Sequence, residues 1–158
     1  MHCALPLEDC RDAFGVARLN GSAAFTELEQ GHIQSAAHRW NLFAGHEVVT
    51  VRTRRDSLFC TIVSETEPIA ENVQGRFMGL TGTIRIGPSF RCSADKPEER
   101  DPQCFEALVM HEMGHLLGLD HLPAGASGIM QPAGAALDFS EADRNACRAA
   151  GICLSGEL

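Results

Sequence analysis

His111-Glu112-Met113-Gly114-His115-Leu116-Leu117-Gly118-Leu119-Asp120-His121 is the stretch whose reading decides the fold and the chemistry of this chain. On a helix, residues four apart share one face, one turn apart, so His111 and His115 can address a single ion. Glu112 falls on the adjacent face, where it can hold a water beside the ion without ligating the ion itself. Gly118 tolerates the left-handed conformation that ends a helix and sends the chain back. That reversal brings His121 round as a third ligand. Three imidazoles leave the fourth position of a tetrahedral zinc ion open, which is the arrangement of a catalytic site. The pattern fixes five positions in eleven, and its chance occurrence in a chain of this composition is on the order of 10⁻⁴. The remaining histidines, His2, His32, His38 and His46, have no metal-ligand spacing and read as solvated or hydrogen-bonded residues.

Working outward, Asp101 suits an N-cap and Pro102 a first helical position. Leu108, Val109, Leu116 and Leu117 give an apolar stripe, so the spacing predicts a helix over 102–119. Residues 122–139 form a loop rich in Gly, Ala and Pro. Residues 140–150 follow as a last short helix, with Ser140 and Asp143 near its start and Gly151 just past its end. Towards the N-terminus, residues 26–42 read as a helix whose apolar set is Leu28, Ile33, Ala36, Ala37, Trp40 and Phe43. Thr26 with Glu29 fits a capping box, and Gly45 supplies a stop. Between the helices, residues 46–53, 57–65, 73–80 and 81–87 are strand-like. Gly75, Gly79 and Gly82 weaken the third of these in the way expected of an edge strand near a ligand. Residues 88–102 read as a polar surface loop. The order helix, strands, helix, helix indicates an α/β (α+β) domain with the metal-binding helix backing a sheet.

The 158 residues suit one domain, 1–158, and a 44% hydrophobic content is that of a globular chain. A formal net charge of −8 argues against a nucleic-acid partner and against attraction to anionic membranes. No apolar run approaches the roughly 18 residues that span a bilayer. Seven cysteines without a Cys-x-x-Cys pair point to an oxidising compartment, about three disulfides and one odd thiol. A secreted or otherwise extracytoplasmic protein is expected, its leader absent from the numbered chain.

The 111–121 stretch is the metzincin signature and resembles the matrixin (matrix-metalloprotease-like) branch. Gly128-Ile129-Met130-Gln131-Pro132, beginning shortly after His121, looks like that family's Met-turn. The resemblance implies a zincin fold with a twisted mixed five-stranded sheet and an antiparallel edge strand. It implies backing and active-site helices and a C-terminal helix, with the N-terminal subdomain at about 1–121 and the C-terminal one at about 122–158. It implies a zinc endopeptidase with His111, His115 and His121 as ligands and Glu112 as general base. Gly118, Met130, Pro132 and Asp143 would support the site, Met130 as an apolar floor and Asp143 as a buttress of the turn. Val73, Gly75, Phe77 and Gly79, with Pro132, would bind substrate along an upper rim formed by 73–80. The chain departs from related branches in having no tyrosine, which removes the extra Tyr ligand of astacins and serralysins. Leu122 stands where matrixins often have Ser, and no loop for a second zinc is visible between 53 and 100. One catalytic Zn²⁺ is therefore expected. Asp95, Glu98, Glu99 and Asp101 could ligate calcium, but a solvated charged loop is the preferred reading.

The implied chemistry is hydrolysis of protein or peptide substrates by a monomer. The apolar 122–139 loop would favour cleavage before Leu, Met, Ile or Phe. The alternatives are a gluzincin-type peptidase, a catalytically inactive zinc-binding or interaction module on the same fold, and a disulfide-stapled module with incidental histidines. Among the cysteines, Cys92 with Cys104 is the favoured pair. Cys147 and Cys153 could pair with each other or with Cys3 or Cys10, and Cys60 reads as a buried free thiol. Cys3 could also reach the zinc as a thiolate and hold the enzyme latent.

Overall fold

The structure, a computed structural model, describes residues 16–21, 25–52, 60–65, 69, 74–79, 82–87, 102–132 and 136–155. Five strands and three helices lie within these: β1 (Ala17–Asn20), α1 (Glu27–Ala44), β2 (Val49–Arg52), β3 (Cys60–Ser64), β4 (Gly75–Met78), β5 (Thr83–Ile86), α2 (Pro102–Leu116) and α3 (Glu141–Ala149). The sheet order is β2-β1-β3-β5-β4. All neighbours are parallel except β4, which runs antiparallel to β5 and forms one edge. The mixed α/β class and the antiparallel edge expected from the sequence are thus present. β2, β3, β4 and β5 each fall within the strand-like segment expected from the sequence. β1, whose residues Ala-Arg-Leu-Asn carry no β-branched or aromatic signal, was not anticipated.

Helix α1 forms where local chemistry dictates. Thr26 accepts from the Glu29 N–H while the Glu29 carboxylate accepts from the Thr26 N–H, closing the capping box. At the other end Gly45, at φ 83°, supplies the left-handed residue that a side chain would resist. Ile33, Ala36, Ala37 and Trp40 are buried as the spacing predicts. Leu28 is not: it is 63% exposed and belongs to the solvent face. The end of α1 is tied to β2 by Asn41, whose Oδ1 accepts from the Val48 and Val49 N–H groups.

One face of the sheet is apolar. Ile84 and Ile86 of β5, Ile62 of β3 and Leu19 of β1 are fully buried and join Trp40, Phe105, Met110 and Met113 in a continuous core. α1 packs on β2 and α2 packs on β4 and β5, so both helices meet the sheet from this side. They also meet each other, where the Trp40 indole N–H donates to the Met110 carbonyl at 2.8 Å. Glu106, buried on α2, is held there by three α1 side chains. It accepts from Ser35 and Arg39 and pairs with His32 at 2.6 Å. This cluster was not foreseen from the sequence.

The cysteines depart from expectation at one point. Cys147 and Cys153 pair with each other. Cys60 is disulfide-bonded and so is not the free thiol its strand setting suggested, and Cys104 is also bonded. A strand position among apolar neighbours looks the same in sequence whether its sulfur is free or bridged. Cys3, Cys10 and Cys92 lie outside the described residues, as do Asp95, Glu98, Glu99 and Asp101.

Candidate metal centre

α2 stops one residue beyond His115. The Leu119 N–H donates back to Gly114 O and the Gly118 N–H to His115 O, with Gly118 at φ 98°. This Schellman-type ending is what reverses the chain. The result is a triangle of imidazole nitrogens. His111 Nε2 and His115 Nε2 are 3.1 Å apart, and His121 Nε2 lies 3.2 Å from each.

The other nitrogen of two rings is fixed by backbone. His111 Nδ1 donates to Ile129 O at 2.6 Å and His115 Nδ1 donates to Leu119 O at 2.8 Å. A carbonyl can only accept, so the ring proton sits on Nδ1 and Nε2 presents its lone pair inward. Three lone pairs at this separation repel one another unless a cation lies between them. Zn–N bonds of about 2.0–2.1 Å in a tetrahedron imply N···N edges of about 3.3–3.4 Å, close to the triangle observed. Three imidazoles are also a donor set that suits zinc. Burial pushes His111 down to about 4, and the neighbouring His115 and His121 push the same way against the Ile129 carbonyl. Burial likewise lowers His115. Both rings are therefore neutral at pH 7 and available as ligands.

Glu112 is 4% exposed and lies between α2 and β4. Burial pushes its carboxyl up to about 7, opposed by a hydrogen bond from the Phe77 N–H and by the charge of Arg76. Its Oε2 is buried with no hydrogen-bond partner among the described residues, an arrangement that asks for a ligand or water. Gly75 lets β4 come this close. A Cβ there would stand 3.0 Å from Leu108 Cδ1 and 3.2 Å from Glu112 Cγ and Oε1.

Met130 is fully buried against Gly114. A Cβ on Gly114 would overlap the Met130 sulfur and lie 3.1 Å from Trp40 Cζ2, so glycine is the residue that admits both side chains. The turn bearing Met130 is held by Asp143, fully buried on α3. Its carboxylate accepts from Ile129 N at 2.8 Å, Met130 N at 3.0 Å, Ser140 N at 2.8 Å and Ser140 Oγ at 3.1 Å. A continuous path thus runs from Asp143 through the Ile129 peptide to His111. The Leu122 N–H closes the same loop on Met130 O at 2.8 Å.

The structure therefore brings together His111, His115, His121, Glu112, Gly118, Met130 and Asp143, and it places Gly75 and Phe77 of β4 against Glu112. Pro132 and Gly79 are both exposed, and Val73 lies outside the described residues. The carbonyls of Leu119 and Ile129, which orient two rings, were not foreseen, because backbone acceptors leave no mark in a sequence.

No family model matches the chain, and no curated protein matches it in sequence. Solved structures do match in shape. Myroilysin aligns with a TM-score of 0.61 at 13% identity, covering 95% of this chain and 84% of that one. High choriolytic enzyme 1, a hatching enzyme zinc-protease from the medaka Oryzias latipes, aligns with a TM-score of 0.57 at 13% identity, covering 98% and 99%. A zinc-dependent peptidase from Methanocorpusculum labreanum aligns with a TM-score of 0.51 at 14% identity, covering 81% and 97%. The chain thus shares its mixed α/β fold with these structures, and three imidazoles converge at the end of its α2.

Proposed function

We propose that this chain is a zinc-dependent endopeptidase in which His111, His115 and His121 hold one zinc ion and Glu112 is the general base. The observation that carries the reading is the Nε2 triangle with a buried, half-unpartnered carboxylate one residue along the same helix. Bound zinc supplies Lewis acidity toward the attacking water and the scissile carbonyl. A nearby dication also favours the ionised form of Glu112, offsetting the burial that raises its pKa. Glu112 Oε2 takes the proton of the attacking water and returns it to the leaving amine. The outer edge of β4 aligns an extended substrate as an antiparallel partner, with Gly75, Phe77 and Gly79 along the rim and Val73 and Pro132 at its limits. The matrixin-like details, with Met130 as floor and Asp143 as buttress, belong to this reading.

The substrate is a protein or peptide, and the 122–139 loop favours Leu, Met, Ile or Phe just after the cut. A monomer of one domain in an extracytoplasmic compartment is consistent with the disulfides at Cys60, Cys104 and Cys147–Cys153. The test is digestion of an unfolded protein with and without a zinc chelator, with the cut sites mapped. Cleavage that stops with the chelator and returns with added zinc is expected. Cleavage indifferent to the chelator, or none with zinc bound, overturns the proposal.

A further inference from the structure

We propose that Arg76 makes this cleft selective for acidic substrates by pairing with an Asp or Glu side chain at a position flanking the residue that enters the apolar pocket. The inference rests on the peptidase reading and adds a substrate class to it. Among the described residues β4 is the edge strand of the sheet. Its pairing with β5 sorts its side chains by face. Gly75 lies opposite Ile86 and Phe77 opposite Ile84, both isoleucines being fully buried, so these two residues look toward α2 and Glu112. Arg76 lies opposite Arg85 and Met78 opposite Thr83, on the other face.

A strand added to the edge alternates in the same way. Its residue in the apolar pocket shares the face of Gly75 and Phe77, and its two neighbours share the face of Arg76. Arg76 is exposed, and no hydrogen bond or ion pair satisfies it among the described residues. Its cross-strand neighbour Arg85 already has a carboxylate, since Glu65 accepts from Arg85 Nε at 2.7 Å. Two arginines thus stand opposite each other on adjacent strands, and among the described residues the one carboxylate paired with them, Glu65, bonds Arg85 from the β3 side, on a chain of net charge −8. A substrate carboxylate beside Arg76 completes the balance.

Three peptides identical except for Glu, Gln or Lys at the residue before the cut, and three more varied at the second residue after it, separate the possibilities. In one series the parent should cleave the Glu peptide about fivefold faster in kcat/KM than the Lys peptide, the scale of a partly exposed ion pair. The ratio should shrink in high salt. Arg76→Gln should bring the ratio near one and Arg76→Glu should invert it. Because each enzyme is compared with itself across peptides, a general loss of activity does not imitate the effect. Cleavage with no Glu preference in either series, or a preference that survives Arg76→Gln, overturns the inference and leaves Arg76 as a charge guarding a sheet edge. Failure to cleave any peptide overturns the peptidase reading and this inference with it.

Discussion

Replacing Asp143 by Asn tests how the Ile129–Met130 turn, whose carbonyl bonds His111, is held. The carboxylate takes three hydrogen bonds on Oδ2, from Ile129 N, Ser140 N and Ser140 Oγ, and one on Oδ1, from Met130 N. An asparagine can keep its oxygen at the Oδ2 position only by turning its NH₂ toward the Met130 N–H, donor against donor. One buried N–H then loses its acceptor, which costs about 1–3 kcal/mol. For a chain of this length that corresponds to a fall in Tm of roughly 3–10 °C. The loss propagates, because the Ile129 carbonyl orients His111. Loosening such an outer partner typically weakens metal binding about 10- to 100-fold. Thermal unfolding of the metal-free protein and competition with a chromophoric chelator read the two effects separately. Ser140→Ala is the contrast: it removes a cap worth about 1 kcal/mol but leaves the Ile129 and Met130 N–H groups paired, so zinc affinity should hold. An Asp143→Asn protein that melts and binds zinc like the parent would refute the reasoning.

Gly75→Ala should reduce turnover while one zinc per chain remains bound, because the added Cβ presses on Glu112 and not on the histidines; parallel activity and metal analysis check this. Gly114→Ala should destabilise the fold by about 1–3 kcal/mol through overpacking against Met130 and Trp40, measured by denaturant titration. For Glu106, burial raises the carboxyl pKa, but hydrogen bonds from His32, Ser35 and Arg39 and the Arg39 charge hold it below the ordinary 4.5. Its folded value being depressed, the group contributes stability above the unfolded pKa. That contribution is lost as pH falls through the folded value. Glu106→Gln should therefore flatten the acid side of the stability–pH profile below about pH 4.5 and leave the neutral side sloping as before.

What the sequence reveals here is what is local. The 3.6-residue repeat puts His111 and His115 on one face, and Gly118 announces the reversal that returns His121. Thr26 with Glu29, and Ser140 with Asp143, mark two helix starts within a few residues. What it conceals is pairing over long range. β1 is four residues with one weak apolar alternation, and it is a strand only because β2 and β3 flank it. Leu28 fits the helical stripe by spacing, but it sits on the first turn of α1 with its side chain in water. Glu106 left a faint signal, a carboxylate among apolar neighbours on the buried side of α2. Its partners are more than 60 residues away in the chain, and nothing local names them. Arg76 shows the same limit. Its sequence position says strand, but only the β4–β5 register tells which face it occupies.

The central claim is that Glu112 does the chemistry at a zinc held by three histidines, and zinc content measured beside peptide hydrolysis in Glu112→Gln tests it most directly. The account predicts one zinc per chain in both parent and variant, with kcat/KM lower in the variant by about 10²–10⁴-fold, the range for loss of a general base. A variant that hydrolyses peptides at the parental rate, or a parent that binds no zinc, would contradict it.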